Sequence, residues 1–270
     1  MAEEKKSEMS FLQHLESLRW HLVRSAIAVM VFAFVLFLNK DFVFSTIIFG
    51  PMHSDFLTYR ALCKFSNYAG LGDMLCMQSI SFELINIDLS GQFTTHIWTS
   101  VIGGLVLGSP YVLWELWRFV SPALREKERK HTTGVVLYAS LLFITGILFS
   151  YYIIVPMTIN FLGNYQVSAI VRNAISIDSY ISTVTVLTLI MGLVFELPIV
   201  IFFLTKVGLI GPGFMRKNRK YAIVIILIVA AIITPSSDIP TLLIVSTPLY
   251  LLYEASIFVA KYAENRKKTE

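Results

Sequence analysis

The stretch VTVLTLIMGLVFELPIVIFFL, residues 184–204, decides the class of this protein. It is long enough to cross the hydrocarbon core of a bilayer, and Glu196 is its only charged residue. A carboxylate at that depth costs about 3 kcal/mol on insertion scales, so such residues face a protein interior or a water-filled cavity. Pro198 follows two residues later and weakens the helix, because its ring carries no N–H. The stretch therefore predicts a membrane-spanning helix that carries a functional carboxylate.

The composition of the whole chain agrees with this interpretation. The 270 residues are 56% hydrophobic and 15% charged, whereas a soluble domain carries about a quarter charged residues. The first ten residues, MAEEKKSEMS, contain no short apolar core, so we expect no cleaved signal peptide. The basic residues lie at the edges of apolar segments, which favours a role in membrane orientation over nucleic-acid binding.

Apolar segments recur along the chain and predict an all-α polytopic membrane protein, with residues 1–270 forming a single membrane domain. The predicted spans are residues 22–38, 97–116, 132–155, 180–204, 221–234 and 239–260. The last two are short, and at about 1.5 Å per residue the fifth cannot cross a core of about 30 Å by itself. Either the bilayer thins around this pair or neighbouring helices shield it, and a re-entrant hairpin is the alternative.

The distribution of lysine and arginine predicts the orientation. With the N-terminus in the cytoplasm, 18 of the 22 basic residues fall on the inner side. The exceptions are Lys40, Arg60, Lys64 and Arg172. An asymmetry this strong predicts six transmembrane helices with both termini cytoplasmic.

The longest polar stretch, residues 39–96, then forms an external loop. Its run SISFELINIDLS half alternates between apolar and polar residues and predicts a short strand. Cys63 and Cys76 lie in this loop, where an oxidising compartment permits a disulfide. Two free, buried thiols are the alternative.

The segment before the first span predicts an amphipathic helix on the cytoplasmic surface. Apolar residues recur there at helical spacing, and Arg19 and Trp20 are suited to the membrane interface. Glu16 lies three residues before Arg19 and can pair with it on one face. The segment is either a membrane anchor or part of a recognition site.

A second charged cluster, WELWRFVSPALREKERKH at residues 114–131, joins the second and third spans on the cytoplasmic side. It places Glu115, Glu126 and Glu128 among basic residues. Such a run is commonly a solvated face. The functional alternative is that Glu128, beside the apolar Phe119 and Leu124, binds a cationic partner, because a carboxylate accepts two parallel hydrogen bonds from an arginine.

Other classes of function find little support in the sequence. It contains no phosphate-binding loop, no metal-ligand spacing of histidines and no protease motif, so we expect no enzyme, cofactor or metal. Gly103, Gly104 and Gly108 indicate close helix packing. A proton-coupled small-molecule transporter that uses Glu196 is the main alternative, but the chain shows no internal repeat.

Taken together, these segments resemble the TatC family, the polytopic subunit of the twin-arginine protein translocase. The resemblance covers nearly the whole chain, and its blocks follow one another in the family's order. Besides the region of Pro51, they are FLQHLESLRWHL, LWRFVSPALREKERK, GLVFELPIVIFFL, RKNRKYAIVIILIVAAIITPSSD and PLYLLYEASIF.

The resemblance implies a Sec-independent translocase subunit of the bacterial inner membrane. Proteins of this family export folded substrates with the proton-motive force, after recognising the paired arginines of a signal peptide at the cytoplasmic face. The implied partners are TatA-like and TatB-like single-span proteins, the signal peptides of substrates, the lipid bilayer and further copies of the chain within the complex.

The resemblance also assigns site residues. The acid that binds the arginine pair corresponds to Glu128, with Phe119, Pro122 and Leu124 around it. The family's second acid corresponds to Ser17, so Glu16, one residue earlier and beside Arg19, either replaces that acid or pairs with Arg19. The intramembrane and partner-contact residues correspond to Glu196, Pro51 and Asp238.

Overall fold

Long helices account for most of the protein. The computed structural model describes residues 11–68, 70, 72, 76, 82–120, 132–168, 173–234 and 239–268. The helices are α1 (Phe11–Leu38), α2 (Leu57–Tyr68), α3 (Gly91–Val120), α4 (Thr132–Phe149), α5 (Val155–Asn164), α6 (Ile177–Phe195), α7 (Leu197–Val207), α8 (Pro212–Lys217), α9 (Arg219–Ile233) and α10 (Ile239–Lys268). Wider π-helical turns at Phe42–Ile48 and Ser150–Ile154 and a 3₁₀ turn at Gly50–Met52 complete the helical parts.

Helical segments long and apolar enough to cross a membrane number five within the described residues. They are Glu16–Leu38, Gly91–Val120, Gly134–Asn164, Ile177–Val207 and Thr241–Asn265. These correspond to the first four predicted spans and the sixth. The predicted fifth span corresponds to α9, whose 15 residues rise about 22 Å. The penultimate segment is the 15-residue helix α9, whereas the last segment, which we also expected to be short, lies in the 30-residue helix α10, because the polar residues after Ala260 continue the helix.

The amphipathic N-terminal segment is part of the first spanning helix. We expected a helix on the membrane surface that runs into the first span. Instead, α1 is one element from Phe11 to Leu38, and its sequence contains neither proline nor glycine. Nothing in that sequence interrupts the hydrogen bonding from one turn to the next, so the surface segment and the span form a single helix.

Glycines allow close approach between the long helices, as their positions predicted. A Cβ on Gly104 of α3 would lie 2.6 Å from the carbonyl oxygen of Val29 on α1. On α4, a Cβ at Gly146 would lie 2.6 Å from the carbonyl oxygen of Met191 on α6. Backbone atoms cannot move aside as the end of a flexible side chain can. Both pairs of helices therefore require glycine at the point of contact.

The main core lies between the middle of the chain and the last helix. Its large and fully buried side chains include Ile154, Val155, Met191, Val245 and Leu249. Because these residues come from α5, α6, α10 and the π-helical turn before α5, the core fixes α6 and therefore the position of Glu196 at its end.

The predicted external loop is tied to the rest of the protein at several points. Strand β1 (Glu83–Ile85), inside the run that predicted a strand, pairs in parallel with β2 (Ala174–Ser176). Cys63 and Cys76 form a disulfide. The structure therefore has the bonded form of the two alternatives that the sequence left open.

Candidate functional site

Glu196 occupies a break between two helices. α6 ends at Phe195 and α7 begins at Leu197, with Pro198 in its first turn. The first turn of a helix needs no N–H from proline, so the ring is accommodated there without loss of a hydrogen bond. The Glu196 carbonyl accepts hydrogen bonds from the amides of Ile199 and Val200 at 3.0 and 3.1 Å. The weak point predicted at Pro198 is thus a restart of the helix.

The side chain of Glu196 faces an apolar cavity of about 210 Å³ between α3, α4 and α7. It is 9% exposed, and its Oε1 atom has no hydrogen-bond partner among the described residues. Trp117 lines the same cavity, is 5% exposed, and its indole Nε1 also lacks a partner within the described ranges. An unpartnered buried acceptor and an unpartnered buried donor thus belong to two residues that line one apolar space, and buried polar groups in proteins normally have a hydrogen-bond partner.

A second polar cluster lies one turn before the end of α3, around the carboxylate of Glu115. This side chain is 1% exposed. Its Oε1 accepts a hydrogen bond from the Tyr111 hydroxyl at 3.1 Å and lies 3.5 Å from Nη1 of Arg118. Its Oε2 is hydrogen-bonded to Nδ1 of His21 on α1. The sequence showed Glu115 as one acid in a mixed charge run and gave no sign that it is buried.

Aromatic contacts surround this cluster. The rings of His21 and Phe119 meet edge to face, with centroids 6.1 Å apart. The guanidinium of Arg118 lies over the ring of Trp114, 4.9 Å from its centroid. These contacts place Phe119, predicted as a recognition residue, beside α1 at the end of α3.

The other predicted recognition residues lie in two parts of the chain. Glu16 and Arg19 belong to α1, where Glu16 is exposed and forms no ion pair with Arg19 within the described structure. Glu128, Pro122 and Leu124 fall in residues 121–131, outside the described residues. The structure therefore brings Phe119 to the N-terminal helix and leaves the position of Glu128 as a prediction.

The remaining predicted contact residues are Pro51 and Asp238. Pro51 is buried, and its carbonyl accepts a hydrogen bond of 2.8 Å from the hydroxyl of Tyr59. Burial raises the pKa of Tyr59, so this hydroxyl stays a donor. Asp238 lies outside the described residues.

An ion pair joins α9 to α10. Nη2 of Arg219 lies 2.7 Å from Oε2 of Glu254, and the hydroxyl of Tyr250 donates to the other carboxylate oxygen at 3.1 Å. Among the described residues, no three or more His, Cys, Asp or Glu side chains come together in a group that could hold a metal ion.

The fold and these sites define a polytopic helical membrane protein with a buried carboxylate at a helix break. A model of the family described as Sec-independent protein translocase protein (TatC) matches residues 13–248. The chain belongs to the TatC family. It is therefore a subunit of the Sec-independent protein translocase, and this family is one of transport proteins rather than of catalytic enzymes.

Individual relatives match over nearly their whole length. The TatC protein of Blattabacterium sp. subsp. Periplaneta americana is 39% identical over 97% of this chain and 98% of its own. The TatCy protein of Bacillus subtilis is 34% identical over 97% of this chain and 93% of its own.

Solved structures show the same fold. Two crystal structures of the twin-arginine translocase receptor TatC, one of them in the detergent DDM, superpose with TM-scores of 0.65 and 0.69 at 32% and 33% identity. They cover 93% and 92% of this chain, and 99% of theirs is covered. Since the TatC family transports proteins, membership in it argues against the alternative of a small-molecule transporter that uses Glu196.

Proposed function

We propose that this chain is the receptor of the translocase: it binds twin-arginine signal peptides at the cytoplasmic face. Together with TatA-like and TatB-like single-span partners, and with further copies of itself, it exports folded proteins by means of the proton-motive force. The solved relatives support this role, because both are described as a translocase receptor.

The proposed setting is the bacterial inner membrane, with residues 1–270 acting as one domain of six spans. The five long apolar segments and the short α9 supply these spans. The excess of basic residues on one side supports an orientation with both termini in the cytoplasm. Under this topology the end of α3, with Phe119, faces the cytoplasm.

The observation that carries the proposal is the contact between α1 and the end of α3. The ring of His21 meets Phe119, so the N-terminal block and the end of α3 share one location. In this proposal Glu128 binds the arginine pair, with Phe119, Pro122 and Leu124 around it. Glu16 and Arg19 extend the same site from α1.

The charge of the chain makes such a local acid necessary. With a formal net charge of +4, the protein as a whole does not attract a basic peptide. A single carboxylate that accepts two parallel hydrogen bonds from one guanidinium provides the attraction. The same geometry distinguishes arginine from lysine.

A second proposed contact is intramembrane. Glu196 accepts a polar group of a single-span partner or of the passing signal peptide, since its Oε1 is buried without a hydrogen-bond partner among the described residues and its side chain lines a cavity together with Trp117. Pro51 and Asp238 are proposed as further partner contacts, by family resemblance.

Binding of signal peptides by the purified protein tests the receptor role. The full chain in lipid nanodiscs should retain a tagged twin-arginine peptide and release the otherwise identical twin-lysine peptide. Equal retention of the two peptides would refute the receptor role.

A further inference from the structure

The carboxylate of Glu115 is satisfied from two different helices. Tyr111 and Arg118, which contact its Oε1, lie on α3 together with Glu115 itself. Its Oε2 is bonded to His21, which comes from α1. Helix α3 thus supplies the contacts of Oε1, while the contact of Oε2 depends on the position of α1.

This bond differs in kind from the close backbone contacts between α1 and α3, and it lies at the opposite end of the two helices from the hydrogen bond between His96 and the Phe37 carbonyl. Where Gly104 meets Val29, the two backbones simply approach closely. Apolar packing of that sort has no preferred direction, whereas a hydrogen bond to a carboxylate weakens steeply as its angle and distance change. The His21–Glu115 bond can therefore fix the rotation and height of α1 against α3.

The same histidine also reaches the proposed recognition site. Its ring meets the ring of Phe119 edge to face, four residues beyond Glu115 on α3. A shift of His21 would therefore move the surroundings of Phe119. Glu115, at 1% exposure, is too buried to contact a peptide itself.

We propose that His21 and Glu115 form a positioning pair for signal-peptide recognition. The pair holds the cytoplasmic end of α1 at a fixed distance from the end of α3, and thereby fixes Glu16 and Arg19 relative to Phe119. This inference rests on the proposed receptor function, because positioning matters only if that site binds the peptide.

Two measurements on the full chain in nanodiscs test the pair. Spin labels carried by non-natural amino acids at Trp20 and Val120, both exposed, report the distance between the helix ends and leave the cysteines untouched. Titration with the twin-arginine peptide gives the affinity. His21→Leu should broaden the distance distribution and weaken binding about tenfold or more, since a displacement of about 1 Å within a site can cost about a hundredfold.

Matched variants separate positioning from simple loss of a side chain. The double variant His21→Gln with Glu115→Gln restores a neutral hydrogen bond and should recover the narrow distance distribution and most of the affinity. Glu115→Gln alone keeps a bond to the imidazole and should change the affinity less than about threefold. His53→Leu, an exposed histidine of the external loop, should change neither quantity.

The outcomes are distinct. An unchanged distance distribution in His21→Leu, or a broadened one with unchanged affinity, overturns the positioning role. If His21→Leu does not fold, failure of the double Gln variant to reproduce the wild-type distance and affinity overturns it instead. A wild-type chain that binds the twin-lysine peptide equally well refutes the receptor function, while the spin labels still decide whether the pair holds the helices together.

Discussion

Trp117 packs its indole against the ring of Phe203, with the two centroids 4.9 Å apart, on the wall of the cavity that Glu196 faces. This tilted ring contact joins α3 to α7 across the helix break. The indole is therefore held by its ring, while its N–H is buried and has no hydrogen-bond partner among the described residues. In the proposed intramembrane site, Trp117 is therefore a second polar residue beside Glu196.

Trp117→Phe should separate these two roles of the indole. Phenylalanine keeps the aromatic contact with Phe203 and loses the N–H, so the fold should persist. Recovery of a single-span partner by co-purification should fall by about 1 kcal/mol of binding free energy, a typical value for a polar contact between membrane helices. Trp98→Phe is the control, because Trp98 is 62% exposed. Equal recovery in both variants would contradict a polar role for Trp117.

Substitutions of Glu196 should follow polarity rather than charge. Glu196→Gln retains a side chain that accepts and donates hydrogen bonds, whereas Glu196→Leu leaves the cavity apolar. Export of a folded reporter with a twin-arginine signal should therefore decline more in the Leu variant. Wild-type export in both variants would remove Glu196 from the mechanism.

Glu128→Ala should abolish export while the protein remains inserted and folded. The expected loss of peptide binding is about 2–5 kcal/mol, as for truncation of one partner in a hydrogen-bonded charge pair. Glu126→Ala is the matched control, since it removes an acid from the same loop two residues away. The assignment of Glu128 fails if its variant exports like the control.

Gly104→Ala should destabilise the protein because of its contact with backbone. The added Cβ would lie 2.6 Å from the Val29 carbonyl oxygen and 2.7 Å from the Ala33 nitrogen, so α1 and α3 must separate. The expected cost is about 1–3 kcal/mol, seen as a lower melting temperature in detergent. Gly134→Ala meets nothing within 4 Å and should cause no loss. A melting temperature that is unchanged at Gly104 would mean that the interface opens freely.

The sequence predicted features that depend on local chemistry. The break beside Glu196 follows from the missing N–H of Pro198, and the glycines of α3 were recognisable as packing positions because they lack a side chain. The hydrogen bond between His21 and Glu115 could not be predicted from the sequence, since the two residues are 94 positions apart and Glu115 looked like one acid of a mixed charge run. The pairing of Glu196 with Trp117 at one cavity likewise depends on how α3 and α7 meet in space.

In the proposed topology, the disulfide between Cys63 and Cys76 can form only at a late step of membrane insertion. Such bonds form and persist in oxidising compartments and are rare in the cytosol. In the proposed topology the loop is synthesised in the cytoplasm and the bond closes only after the loop has crossed the membrane. Mass spectrometry after alkylation, with and without reductant, would then count the molecules that have completed insertion. The fraction of molecules that carry this disulfide thus reports the fraction whose external loop has crossed the membrane.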